Sequence, residues 1–148
     1  MRIRPLEIAD QAEWQLLWTQ YQEFYGYPDR PQNFLDTAFM RLMSDDEADF
    51  YGFVAEESGR LLGLTHYVFH PSLWRPEGVC YLQDLFTVPD ARGKGVGRAL
   101  IEAVTDAAVQ KGVQAVYWLT AEDNYPGRML YDQVATRTSF IKYQRDLG

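Results

Sequence analysis

The sequence has little cysteine, no long apolar run and no excess of positive charge, and each absence excludes a class of protein. Cys80 is the only cysteine, so neither an internal disulfide framework nor a cysteine-based zinc cluster can form. No apolar run approaches the roughly 20 residues of a membrane span, and the N-terminal segment lacks the apolar stretch of a signal peptide. We therefore expect a cytoplasmic protein with no membrane partner and no metal.

The charge balance argues against nucleic acid as a partner. The chain has 14 Lys and Arg against 21 Asp and Glu, a formal net charge of -7, whereas nucleic-acid binding requires clustered basic residues. An acidic surface attracts cations, so the charge favours a small-molecule amine or a basic peptide as substrate, although it is equally compatible with simple solubility. The sequence leaves a monomer and a homodimer both open.

The length and composition predict one folded domain over residues 1–148. The chain is 47% hydrophobic and 24% charged, which is typical of globular proteins. At this length a single core can bury roughly two thirds of the surface of the unfolded chain. We find no internal repeat, linker or low-complexity segment that would divide it.

Periodicity and turn signals predict an alternation of helices and strands. Strands are expected at 2–8, 50–57, 60–70, 78–88, 114–120 and 140–145, and helices from Asp10 to about Gly26, over Phe34–Met43, from Val96 to Lys111, and from Pro126 to Val134. Asp10 and Glu13 have the spacing of a helix-capping pair. Ser58-Gly59 indicates a tight turn between two paired strands. The predicted class is α/β (α+β), with a mixed central sheet flanked by about four helices.

A glycine-rich loop joins the strand at 78–88 to the helix that follows it. Gly93, Gly95 and Gly97 have no Cβ atoms, so backbone N–H groups can approach an anion closely. The helix N-terminus adds about half a unit of positive charge. Arg92, Lys94 and Arg98 surround the loop with cations, so we predict a phosphate-binding site.

Two common phosphate-binding motifs do not fit this loop. A P-loop requires Ser or Thr after Gly-Lys to bind magnesium, whereas Gly97 is followed by Arg98-Ala99. A dinucleotide-binding fold requires Gly-x-Gly-x-x-Gly early in a βαβ unit and an acidic residue near the end of the next strand. The spacing here is Gly-x-Gly-x-Gly after a β-meander, and Thr120 ends the next strand.

The segment Arg92-Gly93-Lys94-Gly95-Val96-Gly97 resembles the Arg/Gln-x-x-Gly-x-Gly/Ala motif of the GNAT superfamily of N-acetyltransferases. Residues 124–131 resemble the second cofactor-binding motif of that family. The motifs cover about residues 78–146, and the predicted element order resembles the family over the whole chain. The stretches 81–86 and 130–135 look most like the branch that contains histone and polyamine acetyltransferases.

This resemblance implies an acetyl-CoA-dependent N-acetyltransferase with a cofactor site between the glycine loop and residues 124–131. The cofactor-binding residues that it implies are Phe86, Thr87, Val88, Arg92, Gly93, Lys94, Gly95, Val96, Gly97, Arg98, Asn124, Arg128 and Tyr131. Residues 86–88 would expose backbone groups to the pantetheine arm, where the strand splays from its neighbour. Asn124 would also bind that arm, Arg128 would lie near the phosphates, and Tyr131 near the thioester sulfur.

The catalytic residues expected on this basis are Asp84 and Tyr131. An amine must lose a proton to attack, and Asp84, on the strand that enters the loop, is the candidate base or the residue that holds a relaying water. Related proteins often have an acid at the position of Gln83, so Asp84 could instead attract the cationic amine or be structural. Tyr131 is the candidate partner of the departing thiolate.

No Ser-His-Asp or Cys-His arrangement can be assembled from the sequence, which favours direct transfer in a ternary complex over a covalent acyl-enzyme. His66 and His70 are expected to be structural or surface residues. The acceptor is predicted to be a primary amine of the polyamine or lysine type. The alternative is a non-catalytic acyl-CoA-binding regulatory module that has kept the loop and lost the chemistry.

Overall fold

A five-stranded mixed sheet forms the centre of the computed structural model, which describes residues 1–148. Its strands lie side by side in chain order: β1 (Arg2–Pro5), β2 (Tyr51–Glu57), β3 (Arg60–His70), β4 (Val79–Thr87) and β5 (Val116–Tyr117). All neighbours are antiparallel except β4 and β5, which are parallel. The helices are α1 (Gln11–Phe24), α2 (Gln32–Leu42), α3 (Val96–Lys111) and α4 (Tyr125–Val134). The predicted mixed sheet with four flanking helices is confirmed.

Left-handed backbone positions define two of the predicted boundaries. Ser58 and Gly59 join β2 to β3 with φ of 52° and 76°, which is the pattern of a type I′ hairpin turn. Helix α3 ends at Gly112, with φ of 88°, and its N–H donates to the carbonyls of Ala108 and Val109. A glycine in this conformation is a common helix stop. Both features follow the sequence prediction.

Helices α1 and α3 cover opposite faces of the sheet. His66 on β3 is buried against Trp14 of α1, whereas the next residue, Tyr67, packs in the apolar cluster that contains Ile101 and Val104 of α3. Consecutive side chains of a strand point to opposite faces, so the two helices lie on opposite sides of β3. Helix α2 packs on α1, where the ring centroids of Phe39 and Trp14 are 5.1 Å apart.

A β-bulge in β4 changes which face its side chains point to. His66 pairs with Asp84 and Tyr67 pairs with Leu82, so Gln83 is an extra residue between the two pairs. Before the bulge, Leu82 points into the α3 cluster. After it, Asp84 points to the α1 face, beside His66. A bulge of this kind re-aims the side chains that follow it, and here it turns a carboxylate toward α1.

The N-terminal segment differs from the prediction in its length and in its capping residues. The first strand ends at Pro5 and is followed by a short 3-10 turn, Ile8–Asp10. Asp10 does not cap α1, because its carboxylate accepts two hydrogen bonds of 2.8 Å from the Arg4 guanidinium. That pairing lowers the pKa of Asp10. Glu13 instead accepts the backbone N–H of Leu61. The predicted Asp10–Glu13 capping pair is therefore wrong, because both carboxylates have stronger tertiary partners.

The C-terminal part of the sheet is shorter than predicted. The expected strand at 114–120 is reduced to Val116–Tyr117, and the final strand expected at 140–145 does not form. Phe140 and Tyr143 are 90% and 88% exposed. A strand requires a hydrogen-bonding neighbour, and β5 is the edge strand, with only two residues paired to β4. These two predictions are wrong for the same reason: the apolar pattern is present, but a partner strand is not.

Cys80 is fully buried on the α3 side of β4. Burial raises the pKa of its thiol to about 12, so the thiolate form that gives cysteine its reactivity is suppressed. Elsewhere in the chain, none of the helices has the length and apolar character needed to span a membrane.

Candidate active site

The glycine loop presents a row of free backbone N–H groups at the start of α3. No oxygen of the chain accepts a hydrogen bond from the N–H groups of residues 93–98, and the first bond of the helix runs from Ala99 N to Gly95 O, at 3.0 Å. Gly93 and Gly95 have φ of 76° and 83°, which glycine adopts without the steric cost of a Cβ. Unpaired N–H groups at a helix N-terminus favour an anion, so the predicted phosphate site has the geometry that it requires.

Gly97 has a different role from the two glycines before it. It lies in the first turn of α3 without a positive φ, and a Cβ built on it would lie 3.3 Å from Leu130 Cδ2 of α4. The absence of a side chain at Gly97 therefore allows α4 to pack closely on α3. A larger residue here would disturb that packing, and not only the approach of a phosphate.

Of the three cations around the loop, the two arginines have hydrogen-bond partners in the chain and the lysine has none. The Arg92 Nε donates to the carbonyl of Thr87 at 3.1 Å, and Arg98 donates to the side chain of Gln133 on α4. Lys94 is exposed and has no hydrogen-bond or ion-pair partner in the chain. The two arginines thus brace the loop, while the charge of Lys94 is available to a phosphate.

A gap opens between β4 and β5 just before the loop. The strands pair only at Cys80–Val116 and Tyr81–Tyr117, while β4 continues to Thr87. The Val88 N–H donates to Leu62 O at 2.9 Å, so by antiparallel alternation Phe86 and Val88 turn their backbone toward β3, and Thr87 turns its backbone toward the gap. The predicted splay is present, and of residues 86–88 only Thr87 turns its backbone toward it, with its carbonyl already accepting a hydrogen bond from Arg92.

Asn124 and Arg128 shape the turn that leads into α4. The Asn124 side chain accepts the N–H of Gly127 at 3.3 Å and donates to Thr120 Oγ1 at 2.9 Å, so it is the N-cap of the helix. The Arg128 guanidinium donates to the carbonyl of Glu122. Both residues lie at the start of α4, the helix that the sequence predicted from Pro126 to Val134. Their contacts with the cofactor remain predictions.

Asp84 ends a chain of three buried, hydrogen-bonded side chains. The Trp14 indole N–H donates to His66 Nε2 at 2.9 Å, and His66 Nδ1 lies 2.9 Å from Asp84 Oδ2. Asp84 is only 7% exposed. Gln83 also donates to Asp84 Oδ2, at 3.2 Å, so both contacts fall on one oxygen. Asp84 Oδ1 accepts no hydrogen bond of 3.5 Å or less, and the Tyr21 hydroxyl lies near the same carboxylate.

The indole of Trp14 fixes the tautomer of His66. An indole N–H can only donate, so His66 Nε2 must be the acceptor and the proton must lie on Nδ1, where it donates to Asp84. His66, expected to be structural, is therefore part of the site. Its partners are 52 and 18 residues away in the chain, and the only sequence signal was a histidine on the strand that neighbours Asp84.

Tyr131 is a half-buried residue of α4 that lies near Tyr21 and Tyr25. Its ring packs edge-on against Trp118, with centroids 5.6 Å apart, and burial raises its pKa to about 12. Burial also raises the pKa of Tyr21 on α1 above its usual range, and the charges of Asp84, Tyr25 and Tyr131 act in the same direction. The two predicted catalytic residues therefore lie close to the same tyrosine.

A cleft of about 450 Å³ opens beside this centre. Its lining consists of Trp18, Tyr21, Gln22, Tyr25, Tyr27, Arg30, Leu119, Thr120, Ala121 and Lys142. Trp18 contacts the ring of His66, with centroids 4.9 Å apart, and Thr120 is the partner of Asn124. The cleft thus adjoins both the Asp84 network and the turn that leads into α4. No three His, Cys, Asp or Glu side chains are grouped so as to hold a metal ion.

The chain is similar to proteins of a known family. The model of the acetyltransferase (GNAT) family matches residues 11–135. The chain is 36% identical over 146 residues to the D-amino-acid N-acetyltransferase HPA3 of Saccharomyces cerevisiae, a match that covers 97% of this chain and 89% of the relative. It is 32% identical over 145 residues to the uncharacterized N-acetyltransferase YhfO of Bacillus subtilis, covering 97% and 95%.

The fold also matches solved structures. The structure of AAC(6')-Iy in complex with the bisubstrate analogue CoA-S-monomethyl-acetylneamine superposes with a TM-score of 0.81 at 20% identity, and the match covers 99% of this chain and 98% of that one. The alternative of a non-catalytic module has no support among the relatives, which are named as N-acetyltransferases. The chain belongs to the GNAT family of acetyl-CoA-dependent N-acetyltransferases.

Proposed function

We propose that the protein transfers the acetyl group of acetyl-CoA directly to a small primary amine, with Asp84 as the base and Tyr131 as the hydrogen-bond donor to the leaving sulfur. The observation that supports this most strongly is the orientation of Asp84. Its Oδ2 is held by His66 and Gln83, while Oδ1 accepts no hydrogen bond of 3.5 Å or less, and the Tyr21 hydroxyl lies near the same carboxylate. A carboxylate fixed on one oxygen can accept a proton on the other without first reorganising.

In this mechanism the amine nitrogen forms a bond to the acetyl carbonyl carbon, and the bond from that carbon to sulfur breaks. Asp84 accepts the proton that the amine loses, directly or through one water. The free N–H groups of residues 93–98, with Lys94, would hold the pyrophosphate, and the Thr87 backbone would face the pantetheine arm. The coenzyme thiolate leaves and takes its proton from solvent.

Tyr131 acts by hydrogen bonding and not by giving up its proton. Its pKa is about 12, whereas a thiol ionises near 8.5, so complete transfer would cost about 5 kcal/mol. Burial raises the pKa of the tyrosine and so widens the gap between the two pKa values. A positioned O–H can still stabilise charge as it develops on sulfur.

Two side chains that could in principle form a covalent acetyl-enzyme are poorly placed to do so, which supports direct transfer. Cys80 is fully buried, and His66 has its Nε2 committed to Trp14. Initial rates measured over a grid of acetyl-CoA and amine concentrations should therefore give intersecting lines in double-reciprocal plots. Parallel lines, together with a protein mass increased by one acetyl group after incubation with acetyl-CoA alone, would contradict direct transfer.

The acceptor is proposed to be a polyamine or a lysine-type amine, and the cleft favours the second. The net charge of -7 points to a cationic substrate, yet the cleft is lined by Arg30 and Lys142 and by no carboxylate. The relative HPA3 is named for D-amino acids, which carry an amine and a carboxylate. An amine that also carries a carboxylate, as free lysine does, matches this lining better than a polyamine.

A further inference from the structure

Arg30 is a half-buried arginine without a partner. Its guanidinium lies between two aromatic rings, with Cζ 4.7 Å from the centroid of Tyr27 and 4.7 Å from that of Phe34. It forms no ion pair and no side-chain hydrogen bond in the chain, and its Nε is buried without an acceptor. A guanidinium has five N–H donors, and leaving buried donors unpaired destabilises a protein.

Comparison with Arg4 shows that Arg30 is unusual in this molecule. Arg4 is also largely buried, but it donates to the carboxylates of Asp10 and Glu56 at 2.7–3.1 Å. The chain has 21 carboxylate side chains, and none of them pairs with Arg30. The Tyr27 and Phe34 rings restrict the guanidinium by cation–π contacts while leaving its N–H groups without acceptors.

The surroundings of Arg30 are suited to an anion. It lines the cleft together with Lys142, and no Asp or Glu shares that lining. The cleft is therefore cationic in a chain whose net charge is -7. Tyr21 and Trp18 line the same cleft and lie beside Asp84 and His66. One small molecule in this cleft can thus reach the Asp84 centre with one group and Arg30 with another.

We infer that Arg30 binds the carboxylate of the acceptor, so that the substrate is a free amino acid whose amine faces Asp84. This inference rests on the proposed function, which places the reacting amine at Asp84. A planar guanidinium can donate two parallel hydrogen bonds to a carboxylate, and charge-assisted bonds of this kind are about twice as strong as neutral ones. A polyamine would instead place a second ammonium against Arg30 and Lys142.

The test compares amino acids with their decarboxylated counterparts. Alanine, methionine and lysine, each as both enantiomers, are paired with ethylamine, 3-(methylthio)propylamine and cadaverine. The wild-type protein should have a higher kcat/KM for the amino acid of at least one pair. Arg30→Gln should raise KM for that amino acid by about 10- to 100-fold, with little change in KM for the matching amine or for acetyl-CoA.

Two further variants separate charge and geometry from folding. Arg30→Lys keeps the charge but loses the planar fork, so it should restore only part of the affinity. Lys142→Gln removes the other cation of the cleft; because Lys142 is exposed, it should raise KM for the amino acid less than Arg30→Gln does. If Arg30 were purely structural, Arg30→Gln would change KM for the amino acid and for the amine alike, and that outcome would overturn the inference. A wild-type enzyme that prefers the amines would also overturn it.

Failure of the proposed function has a distinct signature. If no member of any pair is acetylated, direct transfer to a small amine is wrong, and the subsite is tested by calorimetric titration of the same amino acids into CoA-saturated protein. Binding that is present in the wild type and lost in Arg30→Gln would support the carboxylate site alone. Absence of binding to the wild type would overturn the site as well.

Discussion

The proposed cofactor side and the proposed acceptor side of the active site are built from different kinds of groups. The cofactor side consists of consecutive backbone N–H groups in residues 93–98, at the start of one helix. The acceptor side consists mainly of side chains from α1, β3, β4 and the loop before α2, and its polar members include Trp14, His66, Asp84 and Arg30. Backbone sites tolerate most side-chain changes but depend on backbone conformation, whereas a side-chain site can be altered by the loss of one atom.

Asp84→Asn should have the largest effect, because it removes the proposed base from the acceptor side while keeping the side-chain shape. Asparagine can still accept a hydrogen bond from His66, so the fold should be retained. We expect kcat to fall by about 10²- to 10⁴-fold, with little change in acetyl-CoA affinity by calorimetry. Asp106→Asn, at an exposed position on α3, is the matched control. Near-normal kcat in Asp84→Asn would exclude Asp84 as the base.

Tyr131→Phe tests the boundary between the two sides, since it removes one hydroxyl from α4 and keeps the ring that packs on Trp118. Loss of a positioned donor to developing charge costs about 2.7–4 kcal/mol, so kcat should fall by about 10²- to 10³-fold. KM for acetyl-CoA should change little. Tyr125→Phe, on the exposed side of the same helix, should keep full turnover. If activity were lost only in proportion to thermal stability, Tyr131 would be structural.

Gly95→Ala tests the conformational dependence of the cofactor side. An alanine at φ of 83° is strained by about 1–2 kcal/mol, so the loop should relax and acetyl-CoA should bind about 5- to 30-fold more weakly. Gly112→Ala, at φ of 88° with equally open surroundings, imposes the same strain at the far end of α3 and should leave affinity unchanged. Equal affinities in both variants would show that the phosphates bind elsewhere.

Trp14→Phe should have the smallest effect on turnover and the clearest spectroscopic one. It removes the N–H that holds His66 Nε2 as an acceptor, so the proton of His66 is free to move to Nε2 and away from Asp84. We expect kcat to fall by about 10-fold and the ¹⁵N spectrum to show loss of the Nδ1–H tautomer. Trp18→Phe removes an indole N–H that has no partner, so the tautomer should survive. If the His66 tautomer were unchanged in Trp14→Phe, Trp14 would not be the residue that positions the His66 proton.

The sequence predicted the cofactor side better than the acceptor side. The loop, its glycines and the start of α3 are local in sequence, so spacing alone placed them. The direction of Asp84 is not local: a two-residue period places it on the same face as Cys80 and Leu82, and only the bulge at Gln83 reverses it. No glycine or proline marks that bulge. Arg30, His66 and Trp14 were missed for the same reason, because their partners are distant in the chain.

The buried state of Cys80 has a practical consequence for measuring all of these rates. Each turnover releases one coenzyme A with a free sulfhydryl, which aromatic disulfide reagents convert into a coloured product. A protein cysteine that reacted with the same reagent would add background and inactivate the enzyme during the assay. The only cysteine here is fully buried and has a pKa of about 12, so it should react very slowly. The native chain can therefore be assayed continuously by colour, with no cysteine replaced.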